Sequence, residues 1–319
     1  MTALGELILS VFRRNEIDVV NLYNSFSRLM QIISGGSMLN FGFWDADTKN
    51  PLDAQYNLSS IIAEFASLHG ACTVIDAGSG FSAPALHWNS KYKNATIICI
   101  NINFRQLKES FAVNASNASS SPPPVPDINT SLSESQFSKP FADSRVNKNL
   151  VRLNSTSTML PVKSNSVDRV IAFESAHHFR PIEQFIKESK RTLKRSGFLV
   201  LAIPVITNSS SPPRLLSLPL SVKLGLLSVT WASEHYNSEQ VKSIVKTQGF
   251  QIEEIKYIGS NVYIPLARYY VENRKELRGK IIKEYPKVLE SIIYKSLLKM
   301  EKVSQKGVIE YMLLKARKT

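Results

Sequence analysis

Short apolar runs alternate along this chain with segments whose apolar residues recur at helical spacing. A short uninterrupted apolar run is typical of a strand covered on both faces, and its alternation with helices is typical of a parallel sheet. We therefore predict an α/β fold with a doubly wound, mostly parallel sheet of seven strands. The predicted strands are 72–75, 95–103, 149–153, 169–174, 198–205, 250–258 and 308–318.

Composition divides the chain further. Residues 1–70 are predicted to form an N-terminal helical cap, 71–264 and 305–319 the sheet core, and 265–304 a helical insertion. Within the core, residues 114–147 are rich in Ser, Pro and Asn, so we predict a mobile insert that folding does not need. Residues 212–231 are mainly Leu and Val, which fits either a helical lid over a ligand or a buried packing helix.

The formal net charge of +13 requires an explanation. Much of the basic excess lies in 268–318, where acidic residues are interspersed at helical spacing, and no basic cluster is interleaved with aromatic residues. This pattern favours a solvated helical face, with peripheral contact to an anionic membrane or an anionic ligand, and binding of RNA, as alternatives. No export signal or membrane-spanning run is evident, so the predicted location is the cytoplasm.

The two cysteines, Cys72 and Cys99, lie in apolar runs and lack the spacing of metal ligands. We expect two buried, reduced thiols and no metal site.

The segment "VIDAGSGFSA" (74–83) predicts a strand, a tight turn and the start of a helix. Gly78 and Gly80 allow the backbone to bend sharply and approach a ligand, and Asp76 ends the strand as a hydrogen-bond acceptor. This arrangement favours a nucleotide-like cofactor, although such turns also close ordinary loops between strands and helices.

His177 and His178 follow the fourth predicted strand, and Glu174 ends it. Ligands of open α/β sheets bind at this edge, where a histidine can serve as a general base. The alternatives are a structural role for the histidines, and for Glu174 a role in capping the following loop rather than in orienting a histidine or a cofactor.

Three segments in this order resemble the class I S-adenosylmethionine-dependent methyltransferases. They are "VIDAGSGFSA", "LPVKSNSVDRVIAFESAHHF" (160–179) and "RTLKRSGFLVLAIPV" (191–205). The resemblance covers most of the chain outside 114–147 and part of 265–304, and implies a Rossmann-like methyltransferase sheet with N-terminal helices and helical lid insertions. "LNFGFWD" (39–45) and "ESAHHF" are similar to the branch acting on small or lipid-like molecules, which includes sugar and macrolide O-methyltransferases, sterol and tocopherol C-methyltransferases and cyclopropane synthases.

The resemblance implies S-adenosylmethionine as the cofactor and a set of residues that contact it. Asn101 and Thr156 stand where the family has acids that bind the ribose hydroxyls and the adenine amino group, so both lack a carboxylate's charge-assisted acceptor. Ile203 stands where part of the branch has a further acid near the substrate. The implied cofactor residues are Phe43, Trp44, Asp76, Gly78, Ser79, Gly80, Asn101, Ile102, Gln106, Thr156, Ser157 and Glu174.

The predicted activity is therefore methyl transfer to oxygen or carbon of a hydrophobic or amphipathic small molecule. His177, His178 and Glu174 are the predicted catalytic residues, and Tyr263, Tyr269 and Tyr270 are expected to enclose the acceptor with the apolar segment 216–231. One alternative is an RNA methyltransferase. The sequence argues against base N-methylation, because "FESA" occupies the position where that reaction requires an N/D-P-P-Y/F tetrapeptide. The other is a non-catalytic methyltransferase-like binding protein, which Asn101 and Thr156 favour.

Overall fold

A computed structural model describes residues 15–116, 149–207 and 236–319 of the chain. Seven strands form one sheet in the order β3-β2-β1-β4-β5-β7-β6. Strands β1 to β5 pair in parallel, while β7 runs antiparallel to both of its neighbours. The strands are β1 (Thr73–Ala77), β2 (Thr96–Asn101), β3 (Leu150–Asn154), β4 (Val167–Phe173), β5 (Leu193–Ile206), β6 (Phe250–Tyr257) and β7 (Ile309–Lys318). The predicted seven-stranded, mostly parallel α/β fold is confirmed.

Helices cover both faces of this sheet. They are α1 (Glu16–Ser34), α2 (Pro51–Phe65), α3 (Ala83–Lys91), α4 (Phe104–Ser116), α5 (Ile182–Thr192), α6 (Ser238–Thr247), α7 (Gly259–Glu272), α8 (Arg274–Glu284) and α9 (Lys287–Gln305). The local sequence determines where several of these helices begin. Asn15, Asn50 and Asn237 each accept a hydrogen bond from a backbone N–H in the first turn of the helix that follows, which stabilises a helix by about 1 kcal/mol.

The central strands contribute side chains to two cores because neighbouring residues point to opposite faces. Val74 of β1 packs in the core beneath α2, α3, α7 and α9, whereas Ile75 packs in the core beneath α5 and α6. Leu58 and Phe185, one from each core, are both fully buried. Truncation of either to alanine is expected to cost about 2–5 kcal/mol.

A third core joins the N-terminal and C-terminal helices. Leu22, Phe26 and Leu29 of α1 pack with Tyr270 of α7 and with apolar residues of α8 and α9. This packing holds α1 and α9 beside the carboxyl ends of the parallel strands, and it encloses the cavity described below.

The structure corrects several expected boundaries. Strand β5 begins at Leu193 instead of residue 198, because the expected turn "KRSG" is an irregularity within the strand, where Ser196 has φ +62°. The C-terminal helical segment begins at Gly259 instead of residue 265, with Pro265 inside α7. Helix α4 continues to Ser116, beyond the expected start of the insert at 114. Cys99 is buried as expected, but Cys72 is exposed.

Most of the expected insert 114–147 and all of the expected lid 212–231 lie outside the described residues, as does the first part of the N-terminal cap. Their predicted roles stay predictions.

Many basic residues of the C-terminal segment form ion pairs. Arg274 and Arg278 bind the buried Glu290, and Arg268 pairs with Glu301. Ion pairing accounts for part of the basic excess, and the solvated helical face stays a prediction. Among the described helices, none has both the length and the apolar character needed to cross a membrane.

Candidate active site

A cavity lies at the carboxyl ends of β1, β2 and β4. From β1 the sheet is extended through β2 and β3 on one side and from β4 onward on the other, so the strand order reverses at this point. Open α/β sheets bind ligands at such a switch point. Residues of both α1 and α9 line the cavity on the side opposite to the strand ends. Most of the predicted site residues meet here.

The turn after β1 forms the floor of one end of the cavity. Gly78 has φ +75° and Gly80 φ +54°, a left-handed conformation that glycine adopts without steric cost. A Cβ atom on Gly78 would lie 2.4 Å from Cβ of Ser175, so the turn packs tightly against the segment after β4. A Cβ atom on Gly80 would have no protein atom within 4 Å. Gly80 therefore leaves space that a ligand can fill.

Asp76 lies beside this turn with a buried carboxyl group. Its Oδ2 atom has no hydrogen-bond partner among the described residues, and burial raises the pKa of Asp76 to about 7. A buried acceptor without a donor is destabilising, so a ligand that donates a hydrogen bond here would remove this cost.

Asn101 ends β2 and has a fixed amide orientation. Its Nδ2 atom donates to Gly80 O at 3.1 Å and to Gln106 Oε1 at 2.9 Å. Since both partners are acceptors, the amide oxygen is left to accept from a ligand. Ile102 and Gln106 line the cavity beside it, and Gln106 Nε2 donates to Ser27 Oγ of α1 at 3.1 Å.

Glu174 follows β4 with φ +52°, a backbone conformation that non-glycine residues rarely adopt. The backbone N–H of Phe41 lies 3.1 Å from both carboxylate oxygens, and the Tyr311 hydroxyl donates to Oε1 at 2.8 Å. Burial raises the pKa of Glu174 to about 8, although both hydrogen bonds favour the charged form. The carboxyl group thus fixes the segment around Phe41 against the cavity.

His177 and His178 lie on the cavity wall with ring centres 4.2 Å apart. His177 is buried, and Nε2 of His178 lies 2.8 Å from the Tyr23 hydroxyl of α1. Both imidazoles stand beside Glu174 at the end of β4, on the side of β1 opposite to Asn101. Two groups able to remove a proton therefore face one end of the cavity.

Thr156 and Ser157 line the other end, near the carboxyl end of β3. The Thr156 hydroxyl hydrogen-bonds to Oε1 of Glu16, the first residue of α1. Glu16 was not among the predicted site residues, because only tertiary structure brings a residue 140 positions away to this strand end.

Two predicted cofactor residues lie elsewhere. Trp44 is buried in the core and packs against Tyr269, and the partly buried Phe43 packs against the same core. Phe41 lines the cavity in their place. Their position does not support the predicted role in covering a cofactor.

The expected aromatic enclosure also differs. Tyr263 and Tyr270 are buried in cores of the protein, and Tyr269 packs against Trp44. The apolar residues that α1 and α9 contribute to the cavity are instead Val19, Met30, Ile33, Ile293, Leu297 and Met300, none of them aromatic. Ile203, which replaces the family acid of strand five, is fully buried in the core beneath α5 and α6.

Residues 75–201 match a family model described as a methyltransferase domain. Erythromycin 3''-O-methyltransferase of Saccharopolyspora erythraea is 23% identical over 260 residues, which cover 80% of this chain and 75% of that protein.

Solved structures resemble the whole fold. The cyclase SpnF has a TM-score of 0.69 and 18% identity, with 94% of this chain and 95% of that chain covered. A mycolic acid cyclopropane synthase crystallised with S-adenosylhomocysteine and CTAB has a TM-score of 0.70 and 14% identity over the same shares. At these identities the two structures establish the architecture.

Proposed function

We propose that this chain, a class I S-adenosylmethionine-dependent methyltransferase, transfers a methyl group to a hydroxyl oxygen or an activated carbon of an apolar or amphipathic small molecule. The observation that carries the proposal is one continuous cavity with two chemically different ends. Its polar end lies over the glycine turn and Asn101, and its apolar end lies between α1 and α9.

The polar end fits the cofactor by three observations. Gly80 leaves open space above the turn, Asp76 has a buried carboxylate oxygen without a donor, and Asn101 offers an amide oxygen. We assign Asp76, Gly78, Ser79 and Gly80 to the amino-acid part of the cofactor, and Asn101 with Ile102 and Gln106 to its ribose. When bound, S-adenosylmethionine supplies an electrophilic methyl group.

The residues at the end of β4 would prepare the acceptor. An imidazole nitrogen of His177 or His178 removes the proton of an acceptor hydroxyl, which makes the oxygen nucleophilic. The Tyr23 hydroxyl, 2.8 Å from His178 Nε2, holds that ring in place. Glu174 binds the backbone of Phe41 and so positions the loop that closes the cavity beside the histidines.

The apolar end supports a hydrophobic acceptor. Apolar side chains of α1 and α9 line the same cavity as the histidines. A bound apolar acceptor would displace water there, which strengthens polar contacts at the reacting group. The name of the relative from Saccharopolyspora erythraea denotes methyl transfer to an oxygen of erythromycin, and this supports a small-molecule acceptor. The predicted cytoplasmic location and peripheral membrane contact stay predictions.

Fractionated label transfer tests the proposal. The protein is incubated with methyl-labelled S-adenosylmethionine and, separately, with organic-extractable metabolites, water-soluble metabolites and RNA. We expect label in organic-extractable small molecules. Label in RNA would indicate the RNA methyltransferase, and tight cofactor binding without transfer to any fraction would indicate a binding protein.

A further inference from the structure

On the placement proposed above, the order of strands sets the direction in which the cofactor would lie. Its reactive end would face His177 and His178, which follow β4. Along the sheet the order is β4, β1, β2, β3, so the nucleoside would extend from the glycine turn of β1 past Asn101 of β2. Thr156 and Ser157, at the carboxyl end of β3, would then lie beside its base.

Thr156 does not offer a free acceptor at this position. Its Oγ1 atom hydrogen-bonds to Glu16 Oε1, accepts from the Thr158 backbone N–H at 3.2 Å and lies 2.8 Å from Thr158 Oγ1. Because a hydroxyl has one proton and a carboxylate has none, the proton of Thr156 points to Glu16. Thr156 therefore holds the Glu16 carboxylate at the cavity.

A carboxylate has room for about four hydrogen bonds. Glu16 lines the cavity, so its carboxylate oxygens are available to a ligand as well as to Thr156. We propose that Glu16 of α1 accepts a hydrogen bond from the exocyclic amino group of the cofactor's adenine, and so supplies from the N-terminal helix the acceptor that β3 lacks. The inference rests on the cofactor placement proposed above.

The rest of α1 supports this role. Tyr23, Asn24 and Ser27 of the same helix bind His178, Asn103 and Gln106, with hydrogen bonds of 2.8, 3.0 and 3.1 Å. These residues follow Glu16 by seven, eight and eleven positions, which places all four on one face of a helix. Glu16 and Tyr23 are separated by about 10 Å along the axis. The helix therefore contacts both the end of the cavity beside the histidines and the end assigned to adenine.

Recognition by a carboxylate makes a specific demand on the base. An amino group donates a hydrogen bond to Glu16, whereas a carbonyl oxygen at the same ring position would face a second acceptor. The site should therefore prefer adenosine over inosine in an otherwise identical ligand, and this preference should depend on Glu16.

Calorimetric titration with S-adenosylhomocysteine and its inosine analogue tests the inference without use of catalysis. We expect the wild-type protein to bind the adenosine compound at least 50-fold more tightly. Glu16→Gln should reduce that ratio at least tenfold, because an amide can donate to a carbonyl as well as accept from an amino group. The exchange Glu16→Thr with Thr156→Asp, which moves the carboxylate to β3, should restore the preference. Glu276→Gln, a change at an exposed glutamate of α8, is the control and should leave the ratio unchanged.

An unchanged ratio in Glu16→Gln would overturn the inference, since the variant would still bind the cofactor. If Glu16→Gln does not fold, an exchange variant that folds and lacks the preference would overturn it as well. Failure of the wild-type protein to bind either compound would instead refute the cofactor placement, and this inference would fall with it.

Discussion

The Tyr23 hydroxyl of α1 lies 2.8 Å from Nε2 of His178, and the two residues are separated by 155 positions in the chain. Their rings also meet edge to face with centres 5.5 Å apart. The contact joins the N-terminal helix to the segment after β4. Because α1 also lines the apolar end of the cavity, the position of the proposed base depends on a helix that would also contact the proposed acceptor.

Loss of the histidines should reduce turnover without loss of cofactor. We expect the double variant His177→Ala with His178→Ala to lower kcat by about 10²–10⁴-fold for a hydroxyl acceptor, which is the usual contribution of a general base. Affinity for S-adenosylhomocysteine should stay within about threefold, and Tyr23→Phe should lower kcat less because it removes only the ring's hydrogen bond. Steady-state kinetics measures kcat, and calorimetry measures the affinity for S-adenosylhomocysteine. Full turnover in the double variant would leave positioning as the catalytic device and would favour an acceptor that is already nucleophilic.

Gly80→Val should abolish cofactor binding measured by calorimetry, since its side chain would fill the open space above the turn. Gly307→Val is the matched control, because Gly307 has φ +62° and equally open surroundings but does not line the cavity. Both variants carry similar backbone strain, and only Gly80→Val should lose affinity. Equal affinity in the two variants would place the cofactor elsewhere.

The unfolding free energy of the ligand-free protein should fall as pH rises from about 5 to 8. Burial raises the pKa of Glu174 from 4.5 to about 8 and that of Asp76 from 3.8 to about 7. In this window the folded protein retains protons that the unfolded chain has lost. The stabilisation is complete below the ordinary values and disappears as pH rises through the folded ones. Glu174→Gln should flatten the upper part of the profile in thermal unfolding, and identical profiles in both proteins would contradict the raised pKa.

Asn101→Asp, which restores the family's acid, should destabilise this protein. The amide nitrogen donates to Gly80 O at 3.1 Å and to Gln106 Oε1 at 2.9 Å, and a carboxylate would place an oxygen opposite both acceptors. We expect a loss of about 1–3 kcal/mol in chemical denaturation, the usual cost of unsatisfied buried polar groups. Unchanged stability combined with tighter cofactor binding would show that the amide is not needed within the turn.

The centre of the sheet was predictable because its strands are apolar on both faces. Runs such as Thr96–Asn101 and Val167–Phe173 are recognisable without any knowledge of their partners. The glycine turn and the histidines were predictable in position since they directly follow strands. The irregularity of β5 around Ser196 was predicted as a turn between a helix and a strand, because Ser and Gly are residues typical of turns.

The site's helical wall was not predictable in the same way. Glu16 reaches Thr156 through the packing of α1 on α8 and α9, which no local pattern encodes. Within "LNFGFWD", no strand or helix period indicates which aromatic residue lines the cavity, and the hydrogen bond from the Phe41 backbone N–H to Glu174 exists only in the tertiary structure.

Substitution of Met30 tests most directly whether one cavity holds the cofactor at its polar end and the acceptor at its apolar end. Met30→Gln keeps the length of the side chain but places an amide among the aliphatic residues of that wall, where an unpaired polar group costs about 1–3 kcal/mol. The control is Met159→Gln, at a side chain that is 69% exposed. With the organic-extractable acceptor, Met30→Gln should lower kcat/KM about tenfold or more and keep the wild-type affinity for S-adenosylhomocysteine, while the control changes neither. Transfer by Met30→Gln with the wild-type kcat/KM would contradict the shared cavity.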